Sequence, residues 1–312
     1  MALSPAVTAP ADYRAAKEAL AYRVRPAAVL DIGGKEGLLF LQGQLTQDVR
    51  GLSPGDARPT AALTPKGKLL FLARLVGLVG EGRRLVLAAS EHERALAQLK
   101  KFVIFQKVDI ADRSPEFVRV SLYGPRAADA ARSFVNATAL PGEGEFGAEI
   151  LAERSEAQGI EERLRSYGAG KVGPESAEVL RVEAGRPRFG QDADASNLID
   201  EVGLDAAIST TKGCYVGQEV VARMRTYGRV NRRLVGFRFP DGPIGKGSIL
   251  RLPEEAEPGK VEQGRVTSAV LSPTFGPIGL GYAFREVPAG GRLVFASGPP
   301  LGAIVTGLPF AE

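Results

Sequence analysis

From residue 232 onward the chain carries its apolar residues in six short runs, at 234–239, 248–252, 264–271, 279–284, 292–296 and 303–306, separated by glycine and proline. Chain that turns this often can bury such runs only by pairing them as strands, which predicts a small all-β barrel or sandwich. The texture upstream is different. Runs at 27–32, 38–41, 68–79, 84–88 and 117–123 read as strands, and helical patterns follow them. Ser90 and Glu93, like Ser155 and Gln158, have capping-box spacing; Leu96, Leu99 and Phe102 follow the first pair, and Ile160, Leu164 and Tyr167 the second. Pro125 is placed to open a third helix, with Ala127, Ala130, Ala131 and Phe134 on one face. Strands followed twice by capped helices predict an α+β body. A boundary near 230–240 divides the 312 residues into a body, 1–230, and a C-terminal β domain, 231–312.

Composition narrows the possible functions. No stretch approaches the roughly 18 uninterrupted apolar residues of a membrane span, and the N-terminus lacks the basic and apolar regions of a secretory signal, so a cytoplasmic protein is expected. Cys214 is the only cysteine, so no internal disulfide can form, and a reducing compartment fits. With His92 as the only histidine, the chain also lacks the ligands of a structural zinc site or a standard iron–sulfur cluster. No metal site is expected, and any cluster chemistry calls for a partner. His92 itself falls in the first turn of a helix, where a surface role is expected. A net charge of +4 does not by itself point to nucleic acid.

Three features carry chemistry. The first is KGCYVGQE, comprising Lys212, Gly213, Cys214, Tyr215, Val216, Gly217, Gln218 and Glu219. Two glycines let the backbone turn around the thiol, and a helix is predicted from 218 to 227, closed by Gly228. A helix N-terminus and Lys212 would favour a thiolate, making Cys214 a candidate nucleophile, redox group or transient metal ligand; the alternative is a buried small hydrophobe. The second is Glu183, in the last turn of a predicted helix that Gly185 ends. A carboxylate there opposes the helix dipole at a cost of about 0.3–1 kcal/mol, so something must compensate it: a bidentate ligand such as a pterin edge, or Arg186 or Arg188. The third is Arg223, Arg225, Arg229, Arg232, Arg233 and Arg238, an acid-free segment that either attracts anions or is a solvated face. The S-x-x-K at Ser209 and the Gly33–Gly34 pair lack the companion residues of an acyl-enzyme or phosphate-binding motif.

KGCYVGQE, with LRVEAGRPRFGQD before it and GRVNRRLVGF after it, resembles the YgfZ family of folate-binding proteins, a branch of the glycine-cleavage T-protein superfamily. FLQGQLTQDV, LTPKGKLLFLARL and VDIADRS extend the likeness over nearly the whole chain. The resemblance implies two interleaved ferredoxin-like α+β domains and a C-terminal β-barrel around a central folate cavity. It implies tetrahydrofolate or a derivative as ligand, Glu183 as the pterin contact, and Cys214 with Lys212 as the signature site. The arginines Arg223 and Arg225 would attract glutamyl carboxylates. It further implies an accessory role in assembly, repair or maintenance of iron–sulfur enzymes, tRNA-modifying ones included, with assembly proteins or client enzymes as partners. One segment departs from the glycine-cleaving enzymes: Leu70 and Phe71 stand where those carry an aspartate pair, which leaves aminomethyl transfer in question unless a carboxylate such as Asp48 substitutes. A folate-dependent one-carbon transferase and a non-catalytic RNA-associated or scaffold protein are the alternatives.

Overall fold

The computed structural model describes residues 9–140, 147–228, 230–253, 262–296 and 301–311. The chain opens with α1 (Ala11–Glu18) and then β1 (Ala21–Gly33), a 13-residue strand that belongs to two half-sheets. Next come α2 (Gly37–Gln44), β2 (Ala57–Leu63), β3 (Leu69–Gly77), β4 (Arg83–Ala88), α3 (His92–Phe102) and β5 (Asp109–Asp112). A second series follows: β6 (Phe117–Tyr123), α4 (Ala127–Arg132), β7 (Thr138–Leu140), β8 (Ala148–Glu153), α5 (Ala157–Ser166) and β9 (Gly170–Lys171). This second series has the β-α-β-β-α-β order of a ferredoxin-like unit. β1 joins the two, its first half pairing with β6 over Ala21–Pro26 and its second half with β4 over Ala27–Ile32. Helices α2 and α3 cover one half-sheet through Phe40, Leu41 and Leu99, and α4 and α5 cover the other through Ala130, Ile160 and Leu164.

Then α6 (Pro174–Glu183), α7 (Ile199–Val202) and α8 (Gln218–Thr226) lead into β10 (Arg232–Arg238), β11 (Ile249–Arg251), β12 (Gly264–Ser272), β13 (Gly276–Phe284), β14 (Arg292–Phe295) and β15 (Gly302–Thr306). These six strands close a barrel in the order β10-β13-β12-β11-β14-β15. The curl brings backbones into contact where side chains are absent: a Cβ on Gly281 would lie 1.9 Å from the Arg265 carbonyl oxygen. All six runs read from the sequence are strands of this barrel.

Three local expectations are corrected. Residues 38–41 form helix α2, not a strand. A short apolar run carries no period to separate the two, and β1 is already flanked by β4 and β5, so it has no free edge to offer. Neither capping box forms: 3-10 turns at Ala89–Glu91 and Arg154–Glu156 precede α3 and α5, and no side chain caps either helix. α4 starts two residues after Pro125, with Arg126 as its N-cap. The end of α6 is as expected, since Gly185 takes φ +69° and the N–H groups of Gly185 and Arg186 bond the carbonyls of Val182 and Arg181, a Schellman closure.

Candidate functional site

Glu183 is buried at the wall of a cavity of about 930 Å³ that lies between α1, the turn into α4, the end of α6 and the barrel. Its Oε1 accepts hydrogen bonds from the hydroxyls of Tyr13 (2.7 Å) and Ser272 (2.6 Å), and its Oε2 from Lys17 Nζ (3.2 Å). These donors, from α1 and the barrel, offset the unfavourable dipole. Burial, reinforced by the Glu183 charge, pushes the Tyr13 phenol up to about 12, so it stays a donor. Arg188, one of the two arginines expected to pair with Glu183, is held instead by Glu178 (2.7 Å). Oε1 is thus filled by two hydroxyls, whereas Oε2 is engaged by a lysine whose side chain is 43% exposed and can withdraw. Leu234, Phe275, Leu308 and Phe310 give the same cavity an apolar wall.

A second cavity of about 280 Å³ shares Arg186, Pro187 and Leu204 with the first. Its charged lining is Arg25, Arg74, Arg119, Arg181, Arg186, Arg188 and Glu91. Glu149, fully buried beside it, accepts from Arg25 (3.0 Å) and from both arms of Arg119 (3.1 and 2.6 Å). Burial pushes its carboxyl up, but Arg119, Arg25 and Arg74 outweigh that and hold it below the usual range.

The KGCYVGQE loop lies elsewhere. Lys212 is buried, and its Nζ donates to the carbonyl oxygens of Gln42 (2.7 Å), Leu45 (2.6 Å) and Gln47 (3.0 Å), closing the C-terminal end of α2. All three ammonium protons are spent there, which corrects its expected role as the thiolate's partner. Burial pulls Lys212 down to about 8, against the nearby Asp48 charge. Gly217 is the N-cap of α8 at φ +85°, and a Cβ on it would come within 2.6 Å of the Thr64 carbonyl oxygen. Val216 N–H bonds Gly43 O (3.0 Å), and Gln218 Oε1 accepts from Tyr215 N–H (3.3 Å). Tyr215 is buried against Leu63 and Val221, whereas Glu219 is exposed in the first turn of α8. Gly213 is not forced by packing, since a Cβ there meets nothing within 4 Å. Cys214 is exposed, which sets aside its reading as a small core residue. Among the described residues that line the two cavities, none comes from 212–219.

No protein-family model matches the chain. An aminomethyltransferase of Rubrobacter xylanophilus is 31% identical over 301 residues, covering 89% of this chain and 79% of that protein. The chain belongs to the aminomethyltransferase family. An uncharacterized protein of Haemophilus influenzae is 30% identical over 247 residues, covering 78% of this chain and 81% of its own length. The fold matches the glycine cleavage system aminomethyltransferase T of Bartonella henselae with a TM-score of 0.85 at 21% identity, over 96% of this chain and 89% of that one.

In this aminomethyltransferase-family chain the basic segment is mostly tied down. Arg225 bridges Asp200 (2.8 Å) and Asp205 (2.5 Å), Arg232 holds Glu201, and Arg233 donates to the Val287 carbonyl. Arg223 is exposed, and Arg229 lies outside the described residues. None of these arginines lines either cavity. Asp48 is engaged by Arg50; burial pushes its carboxyl up, but the Arg50 amide and guanidinium hold it below the usual range. It too is absent from both linings. Phe71 is fully buried in the core under α2 and α3, with Leu70 packed against that core. His92, at the start of α3, contacts Asp112 (2.9 Å) rather than standing free in solvent. No group of three or more His, Cys, Asp or Glu side chains suited to a metal occurs among the described residues, and no helix there is long and apolar enough to cross a membrane.

Sequence reasoning missed Glu91. Its Oε1 accepts the Leu72 N–H (2.9 Å), which the β3–β4 ladder, beginning at Arg74, leaves over. Burial pushes Glu91 up to about 7, against the pull of that N–H and of Arg119 and Arg94. Between the ordinary carboxyl value and about 7 the folded state binds this proton more tightly than the unfolded chain, so stability falls as pH rises through that window. Glu91→Gln keeps the acceptor and removes the charge. It is expected to match wild type below pH 4.5 and to exceed it by about 3 kcal/mol above pH 7, from 1.36 kcal/mol per pH unit. Urea unfolding at pH 4.5 and 8 checks this.

Proposed function

We propose that the protein binds tetrahydrofolate or a derivative in the larger cavity and serves, in the cytoplasm, the assembly, repair or maintenance of iron–sulfur enzymes, tRNA-modifying ones included. Residues 1–230 would form the folate-binding body and 231–312 the barrel domain that closes it. The carrying observation is Glu183: a buried carboxylate on the wall of a cavity with room for a flat amphipathic ring, with Oε2 available once Lys17 withdraws and apolar side chains on the other side. A pterin edge presents N–H donors, one of which Oε2 can then accept. When bound, tetrahydrofolate supplies a reduced ring able to carry a one-carbon group.

The accessory role rests on two further observations. Leu70 and Phe71 bring no carboxylate to β3, and the exposed Cys214 stands on a separately anchored loop where a partner protein can reach it. A folate-dependent one-carbon transferase is the second reading, favoured by kinship with the Rubrobacter aminomethyltransferase. The RNA-scaffold reading loses ground because Arg225 and Arg232 are spent on carboxylates.

Calorimetry with tetrahydrofolate tests the ligand: micromolar binding is expected for wild type and unchanged for Cys214→Ala, and no binding of any reduced folate defeats the reading. In cells lacking the protein, wild type but not Cys214→Ala should restore iron–sulfur enzyme activity. Full restoration by Cys214→Ala, or turnover of a one-carbon-loaded folate by the purified protein, would move the assignment to the transferase.

A further inference from the structure

Leu39 is 73% exposed on α2, and Ile104 and Phe105 are 70% and 96% exposed in the loop that follows α3. The two places are joined. The N–H of Glu36, the N-cap of α2, donates to the Lys107 carbonyl (3.1 Å), and the Lys107 N–H donates back to Glu36 Oε2 (2.6 Å). Gly34, at φ +86°, lets the loop close on the chain before α2, where a Cβ would lie 2.4 Å from the same carbonyl oxygen. The loop is therefore pinned to the start of α2. Phe102, Val103 and Val108 pack against the core, and Ile104 and Phe105 between them are left outside it.

Helix α2 carries this surface toward the cysteine loop. Leu39 and Gly43 are four positions apart, hence neighbours on one face of the helix, and a Cβ on Gly43 would meet nothing within 4 Å, so that face is open. The Gly43 carbonyl accepts the Val216 N–H (3.0 Å), two residues beyond the exposed Cys214. From Glu36 to Gly43 the helix rises only about 10 Å. The loop tip, Leu39 and the cysteine loop thus follow one another along α2.

Lysines border the apolar side chains: Lys35 before α2, Lys100 and Lys101 in the last turn of α3, and Lys107 after the tip. All four are exposed, and their ammonium groups have no ion-pair partner among the described residues. The acidic residues of the same stretches are Glu36, already bonded to the Lys107 N–H, and Asp109. Exposed apolar side chains with a charged rim mark a contact surface, and a cationic rim is complemented by an acidic one. A bilayer would meet the loop tip alone, whereas these residues continue along a helix to a thiol, which favours a protein.

We propose that Leu39, Ile104 and Phe105, with the four lysines, form a docking surface for a partner protein that presents apolar side chains within an acidic segment. Docking there brings the partner to Cys214. That the partner is an iron–sulfur protein rests on the accessory reading; the surface itself does not.

Photocrosslinking of the purified full chain in extract from cells lacking it tests the surface. One probe is benzoylphenylalanine at position 105, and the other is a thiol-directed photocrosslinker, which marks Cys214 alone because it is the only cysteine. Both should attach to the same protein, within a segment rich in Asp and Glu. Lys100→Glu combined with Lys101→Glu should lower both yields about threefold or more at low salt, and Phe105→Ser should lower the Cys214 yield as much. These side chains are exposed, so both variants should keep the wild-type unfolding temperature and tetrahydrofolate affinity. Attachment of position 105 to lipid, to a second copy of the chain or to a protein that Cys214 does not reach overturns the proposal, as do yields that the charge reversal leaves unchanged. In cells lacking the protein, both variants should restore about tenfold less iron–sulfur enzyme activity than wild type. Wild type that restores none while the common crosslink persists defeats the accessory role and keeps the surface. Full restoration by both variants, with no common crosslink, does the reverse.

Discussion

Glu183→Ala is expected to abolish measurable tetrahydrofolate binding and to lower the unfolding free energy by about 3 kcal/mol or more. The stability loss has a specific origin: Tyr13, Ser272 and Lys17 all donate to this carboxylate, and truncation leaves two buried hydroxyls and an ammonium facing an empty space. Because the two losses come together, the alanine variant cannot by itself assign the ligand contact. Glu183→Gln separates them. Its amide oxygen can take the place of Oε1 for Tyr13 and Ser272, while its NH₂ replaces Oε2, so stability should fall by only about 1–2 kcal/mol. A ligand N–H that donates to Oε2 would meet a donor instead, which costs about 1.5–3 kcal/mol, or roughly ten- to a hundredfold in Kd. Paired urea unfolding and calorimetry give both numbers. A glutamine variant that binds tetrahydrofolate as wild type does would place the pterin edge away from Glu183.

Lys212→Met is the second large effect, and it should be confined to stability and to the cysteine loop. Methionine keeps the apolar stem but gives no donor to the Gln42, Leu45 and Gln47 carbonyls, each of which costs about 1–3 kcal/mol when buried and unsatisfied. Removing a buried ammonium that burial has drawn down to about 8 returns part of that cost, so the net loss is about 2–4 kcal/mol. Hydrogen exchange of the Val216 amide, bonded to Gly43 O, should accelerate in step, and tetrahydrofolate affinity should not change, because no residue of 212–219 lines either cavity. A loss under about 1 kcal/mol would mean that water already satisfies those carbonyls. A fall in folate affinity would instead couple the loop to the cavity.

The two effects also show where the sequence was readable. The barrel strands were legible because their information is local, each being a short apolar run between turn residues, whereas the pairing of β10 with β13 was not. The Schellman end of α6 and the αL entry to α8 were legible for the same reason, each needing one glycine at one position. α2 was misread because four successive apolar residues fit a strand as well as a helix, and the decision rested with β1, both of whose edges were already taken. Ser90 and Ser155 carried the right spacing for caps, but the chain turned a few residues early and a 3-10 turn met the backbone's needs.

Charged positions divide in the same way. Sequence alone determined that Cys214 has no partner thiol, that the chain cannot assemble a metal centre from cysteine and histidine, and that Glu183 opposes a helix dipole and must be compensated. What compensates it was decided in three dimensions, by Tyr13 from 170 positions away and Ser272 from 89. Arg74 and Arg119 left a trace, each being a charged residue inside a run that otherwise reads as a strand, but no spacing says that they meet. A local dipole, turn or cap depends on a few neighbouring residues and is written in their order. A charged chamber depends on which faces of distant strands the folded sheet turns toward one another, and only the tertiary structure sets that.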